Sequence, residues 1–261
     1  MRSRHTPLPV TALAVAGVVF LGLPLLALLL RTPWDRAAEL LGAPAVRDAL
    51  RISLIASILA VAVAVLLGGP LGYVLARGPR RLRGALRALV LLPLVLPPVV
   101  GGVALLLAFG RRGIAGAVIA DATGVTLPFS LAGVVMAEAF VALPFVALAV
   151  EAGLRRVDPG LEQAAATLGA PPWTRLRRVT LPLAAPALGA GAALAWARAL
   201  GEFGATITFA GSLPGVTETM PVAVYLELQG DPGAAYVLSI LLLAVSVLVL
   251  GVTGLRVRAG R

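Results

Sequence analysis

Arg198 and Glu202 stand four positions apart inside an otherwise apolar run. On a helix they share one face, and where water is scarce each can neutralise the other. Ionisable groups at such depth are functional candidates; the plainer role for this pair is a structural ion pair that fixes how helices pack. Thr206 and Thr208 follow on the same run, with Ser212 just beyond, and offer hydroxyls suited to brief hydrogen bonds with a passing anion. Upstream, Pro93, Pro97 and Pro98 interrupt another apolar run, and Gly101 and Gly102 come next. Proline inside a membrane helix frees backbone carbonyls, which neighbouring protein or a water-filled cavity must satisfy, while paired glycines let a second helix approach. This stretch reads either as a pathway-lining segment built on Pro97 and Pro98 or as a kinked packing helix.

Several chemistries are closed to the chain. Without cysteine it has no disulfide, thiolate metal site or cysteine nucleophile. Its single histidine, His5, argues against a histidine metal centre or a catalytic triad. All 22 basic residues are arginine, so the lysine of a phosphate-binding G-x-x-x-x-G-K-[ST] loop is missing and nucleotide hydrolysis has to come from another polypeptide.

These residues sit in a membrane. Hydrophobic types make up 59% of 261 residues and mean hydropathy is +0.99, well above the roughly 45 to 50% apolar content of soluble domains. Apolar runs of bilayer length lie at 8–30, 52–76, 88–109, 131–150, 183–209 and 234–255, which predicts an all-α, polytopic membrane protein with six transmembrane helices forming one domain over residues 1–261. The first run is too long for a signal-peptide core and no small-residue cleavage site ends it. Fifteen arginines fall in the N-terminal segment, the second connection, the fourth connection and the C-terminal tail, whereas seven of the twelve acidic residues lie in the remaining connections. Positive residues stay inside, so both termini and the segment 151–182 are predicted to be cytoplasmic. The net charge of +10 reflects that topology rather than nucleic-acid binding. Residues 32–51 are expected to hold a short helix along the outer surface, and 111–128 a polar outer loop.

The segment 151–182 reads as a docking surface. Asp158 can N-cap a helix that starts at Pro159, Glu162 lies near its positive end and Gly169 closes it, with a second short helix expected to run to Pro182. Ala164 and Ala165 would let a partner's backbone come close, and Arg155, Arg156, Arg175, Arg177 and Arg178 would offer charge pairing.

Ala164, Ala165, Gly169, Val179, Leu181 and Pro182 match the "EAA" coupling loop of ABC importer permeases, with Gln163 at the position of the consensus glutamate and Glu162 one place earlier. The stretches 198–205, 206–211 and 219–225 resemble sulfate and molybdate permeases, most closely the molybdate branch. The resemblance covers nearly all of 52–255. It implies a type I importer permease fold and a homodimer bound to ATP-hydrolysing subunits and an extracytoplasmic oxyanion-binding protein, with no cofactor in this chain. It also implies that Glu162, Gln163, Ala164, Ala165, Gly169, Leu181 and Pro182 couple to the ATPase, while Pro97, Pro98, Arg198, Glu202, Thr206 and Thr208 are pore or gate candidates. Arg198 is not taken as the anion's binding group, because a strong cation would trap a divalent oxyanion that has to pass. The rivals are a sulfate or tungstate permease of the same architecture and, in another class, a proton-coupled carrier, for which Glu138 and Glu202 are the only carboxylates in the spans.

Overall fold

The computed structural model describes residues 7–259, and the regular elements among them are helices. Arg2, Arg4, His5 and Arg261 lie outside the described residues. Helix α1 (Leu8–Arg31) buries none of its residues within the chain, as suits a lipid-facing helix. A short α2 (Ala37–Gly42) leads into α3 (Pro44–Arg77). The expected surface helix over 32–51 is therefore corrected to α2 plus the first turns of α3. Pro44 pre-sets the first turn, and the helix runs on through Gly68, Gly69 and Pro70 to Arg77. At 1.5 Å per residue α3 is about 51 Å long and outruns a hydrocarbon core of about 30 Å, so Arg47, Asp48 and Arg51 ride on its protruding end.

The third predicted span is not one helix. Helices α4 (Arg80–Val95) and α5 (Pro98–Phe109) meet at a 117° bend. Leu96 precedes a proline and is extended (ψ 134°), as is Pro97, and Pro98 restarts the helix in its first turn. Helix α6 (Gly116–Thr123) occupies part of the expected polar loop and ends at Gly124, which takes the left-handed conformation (φ 70°).

The core forms around α7 (Leu131–Arg156). From α3 it receives Ala56, Ala60, Ala64, Gly68 and Gly72, part of a buried stripe of small residues at helical spacing, while Ala49 packs against α12 and α13. Contact is so close that a Cβ on Gly72 would come within 2.5 Å of the Ala147 carbonyl. Beyond α7, the chain forms α8 (Pro159–Thr167), a short α9 (Pro172–Arg175), a π-helical turn at Leu176–Thr180 and α10 (Leu181–Leu200). The second short helix expected in 151–182 does not stop at Pro182. The Leu181 N–H bonds the Leu176 carbonyl five residues back, and this wider turn carries the helix past a residue that lacks an N–H. Helix α10 packs closely on α7 through Gly191 against Ala149 and shares its core with α3.

The fifth predicted span is also divided. Helix α10 ends at Leu200, α11 (Gly204–Ala210) resumes after a break, and α12 (Met220–Gly230) and α13 (Pro232–Ala259) follow. Among the described residues, four helices are long and apolar enough to cross a membrane, five if α4 and α5 count as one span. Helix α13 runs for 28 residues and is apolar over Pro232–Leu248.

Candidate functional site

Two breaks in the helices come together. The α5 start and the α11 start touch so closely that a Cβ on Gly204 would lie 2.6 Å from Pro98 Cβ. One turn on, a Cβ on Gly102 would lie 2.6 Å from Thr208 Cβ and 3.0 Å from the Ala205 carbonyl. The paired glycines thus do what their type suggested, though only Gly102 meets α11; Gly101 faces Phe140.

Glu202 organises this junction. Its carboxylate is 1% exposed and forms an ion pair with Arg198, whose side chain is 31% exposed. Its Oε1 also accepts the Ala205 N–H at 2.8 Å, so one side chain joins the last turn of α10 to the first turn of α11. Around it, Trp196 Nε1 donates to Ser57 Oγ (2.9 Å) and the Phe203 ring lies 4.8 Å from that of Tyr225 in α12. The Met220 N–H donates to Ser53 Oγ at 2.7 Å, tying α12 to α3.

The predicted hydroxyls behave differently from each other. Thr208 Oγ1 donates to the Gly204 carbonyl (2.7 Å), whereas Thr206 is fully buried and its Oγ1 has no hydrogen-bond partner. Pro97 and Pro98 are exposed at the α4–α5 bend. Glu138 in α7 is 1% exposed, lies within electrostatic range of Glu202 and leaves its Oε2 unpartnered. The sequence marked Glu138 only as an intramembrane carboxylate; a lone acid in a long apolar helix was the available signal for more. A groove of about 510 Å³ near Arg111, Arg112 and Phe129 is lined by none of the predicted pore residues.

The second candidate surface lies at the arginine-rich end of the bundle. Asp158 caps α8 through the Gly160 N–H (2.8 Å), and Gly169 ends it at φ +81°, with the Ala170 N–H bonded to the Ala165 carbonyl (3.0 Å). Leu161, Ala164 and Leu168 form the outward face, together with Trp173; Leu168 is 88% exposed. Gln163, Gly169, Leu181 and Pro182 are exposed as well, while Glu162 and Ala165 turn partly inward. Arg155 is not free for a partner: it bonds Glu151, which also holds Arg87 (2.8 Å). Arg156, Arg177 and Arg178 stay exposed. Glu162 Oε1 accepts from Thr180 Oγ1 (3.0 Å) and faces Arg77 Nη2 (3.5 Å). Arg77 is 85 residues away, and nothing in the sequence pattern pairs the two.

Among the described residues no group of three or more His, Cys, Asp or Glu side chains is placed to hold a metal ion.

Comparison with known proteins gives a consistent picture. Molybdenum transport system permease protein ModB of Mycobacterium tuberculosis is 48% identical over 247 residues, covering 95% of this chain and 93% of the relative. The Escherichia coli protein of the same name is 43% identical over 207 residues, covering 77% of this chain and 90% of that one. The sulfate transport system permease protein CysT of Escherichia coli is 34% identical over 244 residues, covering 92% and 88%. A solved bacterial ABC transporter involved in the import of the acidic polysaccharide alginate superposes with a TM-score of 0.72, covering 97% of this chain and 93% of its own at 18% identity, a likeness of fold. The family described as "Binding-protein-dependent transport system inner membrane component" matches residues 68–255. Its match spans well over half of the chain, and the broken helices and capped α8 lie within it, so the chain belongs to the binding-protein-dependent transport system inner membrane components.

Proposed function

We propose that the chain is the transmembrane permease of an ABC importer that carries molybdate, with tungstate close behind, across the cytoplasmic membrane into the cell. The observation that carries the substrate is the gap between relatives: 48% identity to a molybdenum permease over 95% of the chain, against 34% to a sulfate permease over 92%. The working unit is a homodimer with two ATP-hydrolysing subunits and an extracytoplasmic binding protein. On this reading α1, α3, the bent α4–α5 pair, α7, α10 and α13 are six spans with both termini and α8 cytoplasmic, an orientation the arginine distribution supports. The chain itself is a transport subunit and hydrolyses nothing.

ATP-driven closure of the partner subunits brings the two α8 helices together, and the bundle opens outward to receive the released oxyanion. Leu161, Ala164, Gln163, Leu168 and Gly169 supply the exposed face that seats in the ATPase, with Leu181 and Pro182 beside it. Glu202 and Arg198 hold the α10–α11 junction, and Pro97, Pro98, Thr206 and Thr208 belong to the part that moves as the gate. The pathway holds its cargo weakly. Sorting therefore belongs to the binding protein, where fixed donors enclose the oxyanion and a cavity sized for molybdate leaves them badly placed around sulfate.

Calorimetric titration of the cognate binding protein with molybdate, tungstate and sulfate, followed by ATP-dependent uptake into proteoliposomes holding the whole complex, tests this. Molybdate uptake with sulfate poorly carried is the expected result. Sulfate binding and uptake with no response to molybdate would overturn the substrate and leave the importer in place.

A further inference from the structure

We propose that Glu162 is a positioning residue that ties the docking helix to the two membrane helices beside it, rather than a contact to the ATPase. This rests on the permease reading above and names how motion leaves the docking surface.

The outward face of α8 is made by Leu161, Ala164 and Leu168, and Glu162 points the other way. Its Oε1 accepts a hydrogen bond from Thr180 Oγ1 at 3.0 Å, and Arg77 Nη2 lies 3.5 Å away. The same Arg77 nitrogen reaches the Val157 carbonyl at 3.4 Å, so one guanidinium grips both the carboxylate and the chain just before α8. Arg77 is the last residue of α3, and Thr180 is the last of the π-helical turn that opens α10. Three elements that a partner must move as one are therefore joined at a single carboxylate.

The surroundings give the tie its purpose. Thr180 is 2% exposed, so loss of Glu162 leaves its hydroxyl only the longer bond to the Arg175 carbonyl at 3.4 Å, and leaves Arg77 only the Val157 carbonyl beside water. Helix α8 is joined to its neighbours by short non-helical stretches, Val157–Asp158 on one side and Ala170–Pro171 on the other, and otherwise packs mainly against α9 and the π-helical turn. A push on a helix held only by such stretches would rotate it in place. With the tie, the push reaches α3 directly and enters α10 through the wide turn at Leu176–Thr180, where the altered hydrogen-bond pattern makes the helix easiest to bend.

The test uses the full complex of permease, ATPase subunits and binding protein in proteoliposomes, with Glu162→Gln, Thr180→Val and Arg77→Gln. Two quantities are read: the affinity of the ATPase subunit for the permease in nanodiscs, and molybdate carried per ATP hydrolysed. Each variant is expected to keep docking within about twofold of wild type while transport per ATP falls about fivefold or more. Glu162→Gln combined with Arg77→Gln should be no worse than the more damaged single, because both remove the same ion pair. Exchanging the charges, Glu162→Arg with Arg77→Glu, should recover a large part of the ratio. Thr180→Val, nearly isosteric, keeps the test meaningful if a charge variant inserts poorly. Docking weakened about tenfold by Glu162→Gln alone, or an unchanged ratio in all three singles, overturns the proposal. Leu168→Asp is the separate control: wild-type docking by that variant would remove the docking reading itself.

Discussion

Arg198 and Glu202 give a quantitative prediction with an asymmetry built into it. Replacing Arg198 with Met strands a carboxylate that is 1% exposed and keeps only the Ala205 N–H as a partner. Breaking a buried pair from that side costs about 3 to 5 kcal/mol. Glu202→Gln is milder. Its amide oxygen still accepts from Ala205, and Arg198, 31% exposed, can stretch toward water or headgroups, so the loss is about 1 to 2 kcal/mol. The double variant keeps the cap and buries no lone charge, which places it near the Gln single and leaves a coupling of about 3 kcal/mol. Unfolding of the four proteins in mixed detergent micelles, followed by tryptophan fluorescence with Trp196 close to the junction, measures the cycle. A double variant as damaged as the sum of the singles, within about 0.5 kcal/mol, would refute the pairing and indicate independent roles.

Three further outcomes follow from the geometry. Gly72→Ala should destabilise the bundle by about 1 to 3 kcal/mol, because its Cβ meets the Ala147 carbonyl and α3 has to move off α7; Gly69→Ala, open to space, should be near neutral in the same unfolding assay. An impermeant thiol reagent outside intact cells, past any outer membrane, should label Asp121→Cys and Val216→Cys and spare Arg81→Cys and Leu168→Cys; the cysteine-free background makes the result direct, and the reverse pattern would invert the topology. Burial, with the Glu227 charge adding to it, raises the Glu218 carboxyl above its ordinary range. A carboxyl raised on folding stabilises below its unfolded value and loses that contribution as pH climbs through the raised one. Wild type should therefore lose thermal stability relative to Glu218→Gln from the ordinary carboxylate range upward, and parallel pH profiles would refute it.

Much of this protein is local and so was legible. Asp158, Pro159 and Gly169 specify α8 with contacts no more than a few residues apart, and the observed cap and left-handed closure follow from them. The apolar runs announced the membrane segments, since a chain in lipid has to satisfy its backbone within each helix. Helix breaks were harder. Pro97 and Pro98 advertised a kink, but the 117° bend depends on where α5 finds a partner, and that partner is α11. The break after Leu200 carries no proline at all. Glu202 turns back to the Ala205 N–H there, and the Phe203 ring packs on Tyr225 of α12.

The sequence by itself determined the solvent, the helical class, the missing phosphate-loop lysine and the capped helix α8, because each depends on composition or on spacing within a turn or two. Only the tertiary structure decided which side chains meet. Arg155 pairs with Glu151, Arg77 crosses 85 residues to reach Glu162, and Pro98 seats on Gly204. Such pairings arise when small residues on α3, α7 and α10 let backbones close to van der Waals contact, and a one-dimensional pattern does not say which stripe will face which.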